Sequence, residues 1–273
     1  MKNEIAIRLI FFFGFLVILV IGELVAPRRK LNSPKSLRWF NNMFITAFNS
    51  VLLRVVFPVL PVGLALLAEG REWGLLHHVL LPKWLALVVT ILVLDFVIWF
   101  QHVIFHRIPV LWRLHMMHHT DLDIDLTTGV RFHPIEAVLS MVIKLVVVYA
   151  LGPPAVAVLI FEIILSVLPM FNHSNLHIPY QIDRVLRLVL VTPDMHRVHH
   201  SVVPYETNSN FGFNFSWWDR LMGRYRAQPE KGHIDMTIGH SLYRDHRKLN
   251  LLRLLVIPFV GRPGDYPGKC IRR

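Results

Sequence analysis

Long apolar blocks alternate with short polar, basic and Pro/Gly-rich stretches along this chain. Residues 5–26, 42–68 and 84–105 are each long enough to cross a hydrocarbon core, which takes about 20 helical residues. Two shorter apolar arms, 137–150 and 155–171, flank Gly152, Pro153 and Pro154. Proline cannot continue a helix and glycine permits a tight reversal. The arms therefore predict a helical hairpin, 137–171, that either spans or dips into the membrane. Pro58 and Pro61 predict a kink in the second block, and Pro27 ends the first. The first block reads as a retained span, since no small-x-small cleavage site follows it. After residue 178 no apolar run is long enough to span, and 249–260 reads as an interfacial helix. This pattern predicts an all-α, multi-pass helical membrane protein.

Composition agrees, with 54% hydrophobic and 17% charged residues in 273. The net charge of +11 argues for anionic lipid head groups and membrane orientation and against nucleic acid, because the basic residues sit at block ends. Arg28, Arg29, Lys30, Lys35 and Arg38 place the first loop in the cytoplasm by the positive-inside rule. The hairpin then has both ends cytoplasmic, and Lys144 and Glu162 fall at equal depth in it as a predicted buried pair. Cys270 is the single cysteine, which excludes internal disulfides and cysteine-based metal sites.

Histidine changes the picture most. Ten of the 16 histidines fall in two windows: His102, His106, His115, His118 and His119, then His173, His177, His196, His199 and His200. Two copies of H-x-x-H-H, 115–119 and 196–200, stand beside two i, i+4 pairs. Residues at i, i+3 and i+4 share one helical face, so each motif offers several imidazole nitrogens to one centre. Ten donors exceed one first shell and suit two ions with four or five each. A closed tetrahedral site would be structural zinc. Additional ligands with open positions suit non-haem iron and dioxygen. The positive-inside argument puts this cap on the cytoplasmic side.

Asp95, two turns before His102, and Asp194, two residues before His196, are candidate supports for the ligands; His133, ahead of Pro134, is a candidate support, a helix cap or a further ligand. His77, His78, His233, His240 and His246 read as surface residues. Trp217, Trp218, Asp219 and Arg220 are expected to tie the cap together. Asp121, Asp123 and Asp125 alternate as in a calcium loop, but Leu126 and Phe132 stand where that loop needs Gly and Glu. The glycosylation patterns at Asn172 and Asn214 fall on the predicted cytoplasmic side and are not read as used.

The chain resembles the fatty acid hydroxylase superfamily, which includes sterol desaturases, sterol methyl oxidases and lipid hydroxylases. The resemblance rests on D-F-V-I-W-F-Q-H-V-I-F-H (95–106), L-H-M-M-H-H (114–119), R-F-H-P-I-E (131–136), F-N-H-S-N-L-H (171–177), M-H-R-V-H-H-S (195–201) and N-F-G-F-N-F-S-W-W-D-R-L-M-G (210–223). It implies a dimetal catalytic domain over 95–226, preceded by transmembrane helices in 1–94 and followed by a cytoplasmic or interfacial tail, 227–273. It also implies that the ten histidines correspond to the ligands of two iron ions, with zinc as a substitute in purified protein. The activity implied is dioxygen-dependent hydroxylation or desaturation of a membrane lipid, such as a sterol or fatty acyl chain. Electrons would come from a separate donor protein, since no haem domain is fused. Gln101 and His102 stand where members often carry His-Arg, a mild departure. A histidine-rich metal transporter is the alternative; it is disfavoured because the histidines sit at span ends with few carboxylates facing them.

Overall fold

The structure, a computed structural model, describes residues 3–266, so Cys270 lies outside the described residues. The described residues contain no β-strand; three isolated bridges are the only extended pairings among them. Helix α1 (Glu4–Val25) ends ahead of Pro27, and α2 (Lys35–Val56) ends at the extended Phe57, the residue before Pro58. A residue that precedes proline is pushed out of the helical region. The second apolar block is therefore two helices, α2 and α3 (Pro61–Arg71), a full break where the sequence predicts a kink. The short α4 (Leu75–His78) carries the exposed His77 and His78.

The same rule shapes the next pair. Helix α5 (Lys83–Arg107) stops at the extended Ile108, and Pro109 opens α6 (Pro109–His119) at its first position. Helices α7 (Pro134–Leu151) and α8 (Ala155–His173) form the hairpin. Its arms are 18 and 19 residues, longer than the apolar pattern alone, because Pro134 starts α7 and polar residues complete both helices near His133 and His173. Gly152 turns the hairpin at φ 59° and touches Gly74 so closely that neither site has room for a Cβ. Five helical segments, Glu4–Val25, Lys35–His78 with its breaks, Lys83–Arg107, Pro134–Leu151 and Ala155–His173, are long and apolar enough to cross a membrane. Large side chains such as Ile10, Ile18, Leu24, Val55 and Val146 lie exposed on them, as lipid-facing surface requires.

Helix α8 is the hub. It packs against α1, α3, α5 and α10, while α7 packs on α2, α3 and α5, and Leu94, Ile98, Val148, Val158 and Phe161 meet in the shared core. Beyond α8 come only short helices: α9 (Tyr180–Leu186), α10 (Pro193–His199), α11 (Pro204–Thr207), α12 (Trp217–Leu221), α13 (Gly232–Asp235) and α14 (Leu251–Val260). Leu254 and Ile257 of α14 pack on Trp112 and Met116 of α6, while Leu252, Phe259 and Val260 stay exposed.

All the polar connections that build the cap lie at one end of the bundle. Arg38 of α2 is buried in the loop after α6, with Nε 2.6 Å from Asp121 and Nη1 2.7 Å from Asp125. Burial alone would raise the Asp121 pKa, but Arg38 and Arg131 outweigh it and hold it down at about 2. The backbone N–H groups of Asn32 and Ser33 donate to Asp123. All three aspartates are thus engaged in tying that loop to α2 and the segment before it. Glu23, at the end of α1, accepts backbone N–H groups from Leu126 and Asn175, 2.8 Å each, and joins two more loops.

At the other end, Lys144 Nζ lies 2.9 Å from Glu162 and Arg8 bonds the same carboxylate. Arg8 also reaches Glu4 at 2.8 Å, so two acids face two bases within the spans. Removing Glu162 strands Lys144 and leaves Arg8 with Glu4 alone, whereas removing Lys144 leaves Arg8 paired with both acids. Glu162→Leu is expected to destabilise the detergent-solubilised protein by about 3–5 kcal/mol, well beyond Lys144→Met, as read by thermal unfolding. Equal losses would show that Arg8 is no partner of Glu162.

Candidate metal centre

The break at Pro109 sets α6 against the end of α5, so the first histidine window folds back on itself. Helix α10 enters from the other side, after Thr192 caps its first turn. Two groups of imidazoles result. His102, His106, His115, His119 and His199 form one, and His118, His173, His196 and His200 form the other. Within each group the candidate ligand atoms lie within 4.8 Å of one another, and all nine histidines are buried. Each H-x-x-H-H motif serves both groups: α6 gives His115 and His119 to one and His118 to the other, while α10 gives His199 to the first and His196 and His200 to the second.

Backbone carbonyls fix the rings. Nδ1 of His102 lies 2.7 Å from Phe211 O, Nδ1 of His118 3.1 Å from Arg131 O, Nδ1 of His173 2.7 Å from Pro169 O, and Nδ1 of His199 2.8 Å from Ser209 O. Nδ1 of His115 lies 2.7 Å from a Glu136 carboxylate oxygen. A carbonyl or carboxylate only accepts, so each of these Nδ1 atoms carries the proton and each Nε2 keeps its lone pair. Asn210 has φ 52°, a left-handed conformation that asparagine tolerates; it lets the carbonyls of Ser209 and Phe211 reach two different histidines. Asn210 is held in turn by the Met195 and Arg226 carbonyls. Asp219 accepts the N–H groups of Phe211 and Gly212 and the indole N–H of Trp99, which anchors the same segment to α5. Gly129 passes so close to the Pro169 backbone, whose carbonyl holds His173, that no Cβ fits.

The Nε2 atoms face one another. His102 and His115 are 3.0 Å apart, and His118–His200, His118–His173, His196–His173 and His200–His173 are each 3.1 Å. His106 and His119 have no hydrogen-bond partner on either nitrogen, nor has Nε2 of His199. In His102–His115 and His118–His173 both Nδ1 atoms are the donors, so the opposed Nε2 lone pairs repel unless a cation sits between them. Two ligands about 2.1 Å from one metal ion are about 3.0 Å apart at a right angle and about 3.4 Å apart at a tetrahedral angle. The residues present therefore fit two metal ions. Burial pushes the pKa of His115 down to about 3, and burial with neighbouring imidazoles holds His118, His119, His196, His199 and His200 well below the usual value. At neutral pH these rings are uncharged, the form that binds metal.

The structure corrects the expectations for His177, Asp95, Asp194, His233 and His240 and assigns His133 to capping. His177 is exposed and outside both groups, because α8 ends at His173 and the extended Ser174 leads the chain away, so no helical i, i+4 face exists. Asp95 spends its oxygens on Asn214 Nδ2 (2.8 Å) and Trp218 Nε1 (2.7 Å), tying the 210–223 segment to α5 without touching a histidine. Asp194 pairs with Arg197 and, at 3.0 Å, with Arg28, which docks the first loop. His133 caps α7 by accepting the Ile135 N–H, and it contacts the Leu255 carbonyl. His233 and His240 are buried, against the surface reading. The supports in place of Asp95, Asp194 and His133 are Glu136 and four carbonyls. A lone acid inside an apolar helix marked Glu136; carbonyls leave no mark in a sequence.

The family model described as fatty acid hydroxylase matches residues 87–224, half of the chain, and contains all nine clustered histidines. The chain belongs to the fatty acid hydroxylase family. It is 28% identical over 157 residues to an ornithine lipid hydroxylase from Rhizobium tropici, covering 58% of this chain and 46% of that one. Similarity to an alkylglycerol monooxygenase from Xenopus tropicalis is 30% over 146 residues, 52% of this chain and 31% of the relative. A cholesterol 25-hydroxylase from Rattus norvegicus is 26% identical over 158 residues, 57% and 49% of the two chains. The chain thus spans less than half the length of these relatives. No solved structure matches it. These relatives are named as lipid hydroxylases and monooxygenases.

Replacing the exposed His177 should matter little. His177→Ala is expected to keep full metal content and change stability by about 0.5 kcal/mol or less, while His173→Ala loses metal from its group. Metal analysis and thermal unfolding of the two variants check this, and equal metal loss in both would restore His177 to the centre.

Proposed function

We propose that the protein is a membrane di-iron oxidase that uses dioxygen to hydroxylate a C–H bond of a lipid. The observation that carries this reading is the double group of nine buried, mutually facing imidazoles at one end of a five-segment apolar bundle. Family and relatives supply the reaction class. Iron is favoured because one group has five nitrogens, one more than a closed tetrahedral zinc site uses. When bound, the two ions would supply dioxygen activation and the oxidising power to break an unactivated C–H bond.

The chain's own residues do the rest. The Nδ1 hydrogen bonds hold the rings of His102, His115, His118, His173 and His199 in one tautomer and one direction. Phe132 stacks on His118, with ring centroids 4.8 Å apart, and Phe213 lies 4.9 Å from His102. These apolar faces keep water from the centre on the side where the spans meet it. A cavity between α2, α5, α7 and α8 reaches Phe132, Glu136, Pro169 and Phe213, so a lipid could approach from within the bilayer. A separate protein would deliver electrons. We assign catalysis to 95–226, with 1–94 as membrane scaffold and 227–273 as a tail whose α14 braces α6. The metal-transport reading loses ground because neither group contains a carboxylate.

Two outcomes test this reading. Protein reconstituted with a chemical reductant, total membrane lipid and isotope-labelled dioxygen should yield a lipid carrying one labelled oxygen, and His119→Ala should abolish it. Metal flux into sealed vesicles without oxygen consumption would favour the carrier. We also place the centre on the cytoplasmic face, since Arg28, Arg29 and Arg38 are bound into the same cap. A reporter fused after the last residue should be active only when it is a cytoplasmic one; activity of a periplasmic or lumenal reporter would reverse the orientation.

A further inference from the structure

The cavity beside the metal centre has a volume of about 270 Å³ and lies between α2, α5, α7 and α8. That lies below the range of about 300–1,000 Å³ usual for small-molecule sites, so it receives a section of a lipid and leaves the remainder in the bilayer. Leu53, Ile98, Met141 and Leu165 give it apolar walls. Among them stand three acceptor oxygens, buried and without a hydrogen-bond partner in the protein: Asn49 Oδ1, Gln101 Oε1 and Glu136 Oε2. Asn49 Nδ2 donates to the Phe132 carbonyl at 2.8 Å, which fixes the amide and leaves its oxygen free. Glu136 gives its other oxygen to His115 Nδ1, so the same carboxylate touches a candidate ligand and the cavity. The Gln101 amide nitrogen bonds Ser140 Oγ and leaves Oε1 unpaired.

Unpaired acceptors are costly inside a membrane, where little water reaches them. A plain alkyl section would leave all three unsatisfied. An ether or ester would bring them no donor, though Lys144 and Ser166 also line the cavity. Only a ligand with N–H or O–H groups answers them. We propose that the cavity takes the part of a lipid that bears a hydrogen-bond donor, a hydroxyl or an amide N–H, and that Asn49, Gln101 and Glu136 fix it there. This rests on the reading of the protein as a lipid oxidase and adds a selection rule: the bond oxidised lies close to a donor group, not at the end of an unadorned chain. Asn49 and Gln101 act as positioning residues.

Direct binding tests this without turnover. A long-chain alcohol, an N-alkyl acetamide and an alkyl methyl ether of equal chain length, each radiolabelled, are equilibrated with nanodiscs that hold or lack the protein. The alcohol, the amide or both should bind about tenfold tighter than the ether, and the tighter of the two identifies the donor. Asn49→Leu should remove most of that preference and leave ether binding unchanged. Gln101→Leu should reduce it, and Gln101→Glu, which keeps an acceptor, should retain it; this pair decides the matter if Asn49→Leu does not fold. Equal binding of all three probes, as when water fills the acceptors, or no protein-dependent binding, overturns the proposal. So does a preference untouched by every variant. Donor selectivity in a protein that oxidises no lipid would leave the cavity assignment standing and overturn the oxidase reading instead.

Discussion

The structure depends on imidazole lone pairs held a bond length or two apart from one another in the dry. Nine rings give up their hydration, at most 3% exposed, and point Nε2 at Nε2 across 3.0–3.1 Å in five resolved pairs. No apolar packing repays that arrangement. A shared cation does, and the neighbouring architecture reads as the means of keeping the rings aimed while it is bound. The carbonyls of Phe211, Ser209, Arg131 and Pro169 each lock one ring. The loops that carry them are locked in turn, by Asp219, by Asn210 and by the Arg38–Asp121–Asp125 cluster.

This explains why so much charge is buried next to the spans. Arg38, Arg131, Asp121 and Asp125 are almost wholly inaccessible, an arrangement that does not stabilise a fold cheaply. Buried ion pairs of this kind fix one loop geometry among many. Here that geometry delivers the Arg131 carbonyl to His118 and sets Phe132 against the same ring. Glu23 draws the loops after α6 and α8 onto the end of α1 in the same way. The first span is thus part of the scaffold of the centre, although it lies outside the matched region 87–224.

Much of this was legible in the chain. The apolar blocks marked the spans, the prolines marked the breaks, and imidazoles at i, i+3 and i+4 marked helical faces. Periodicity fails where a helix stops: His177 keeps the spacing, but the turn at Ser174 removes the face. Spacing also does not say where a neighbouring element lies, so the division of each H-x-x-H-H between two groups became visible only once α5, α6, α8 and α10 were set together. An acid near a histidine in sequence suggests contact, which makes Asp95 and Asp194 look like ligand supports. In three dimensions each instead meets the cations or N–H donors of a distant segment. His233 and His240 looked like surface residues among polar neighbours; long-range packing of the tail buries them.

The central claim is that the two imidazole groups are two metal sites. Elemental analysis of the protein, purified from iron-supplied cells and quantified per polypeptide, tests it most directly. Two bound metal ions per chain, predominantly iron, are expected. One ion or none per folded chain would contradict it.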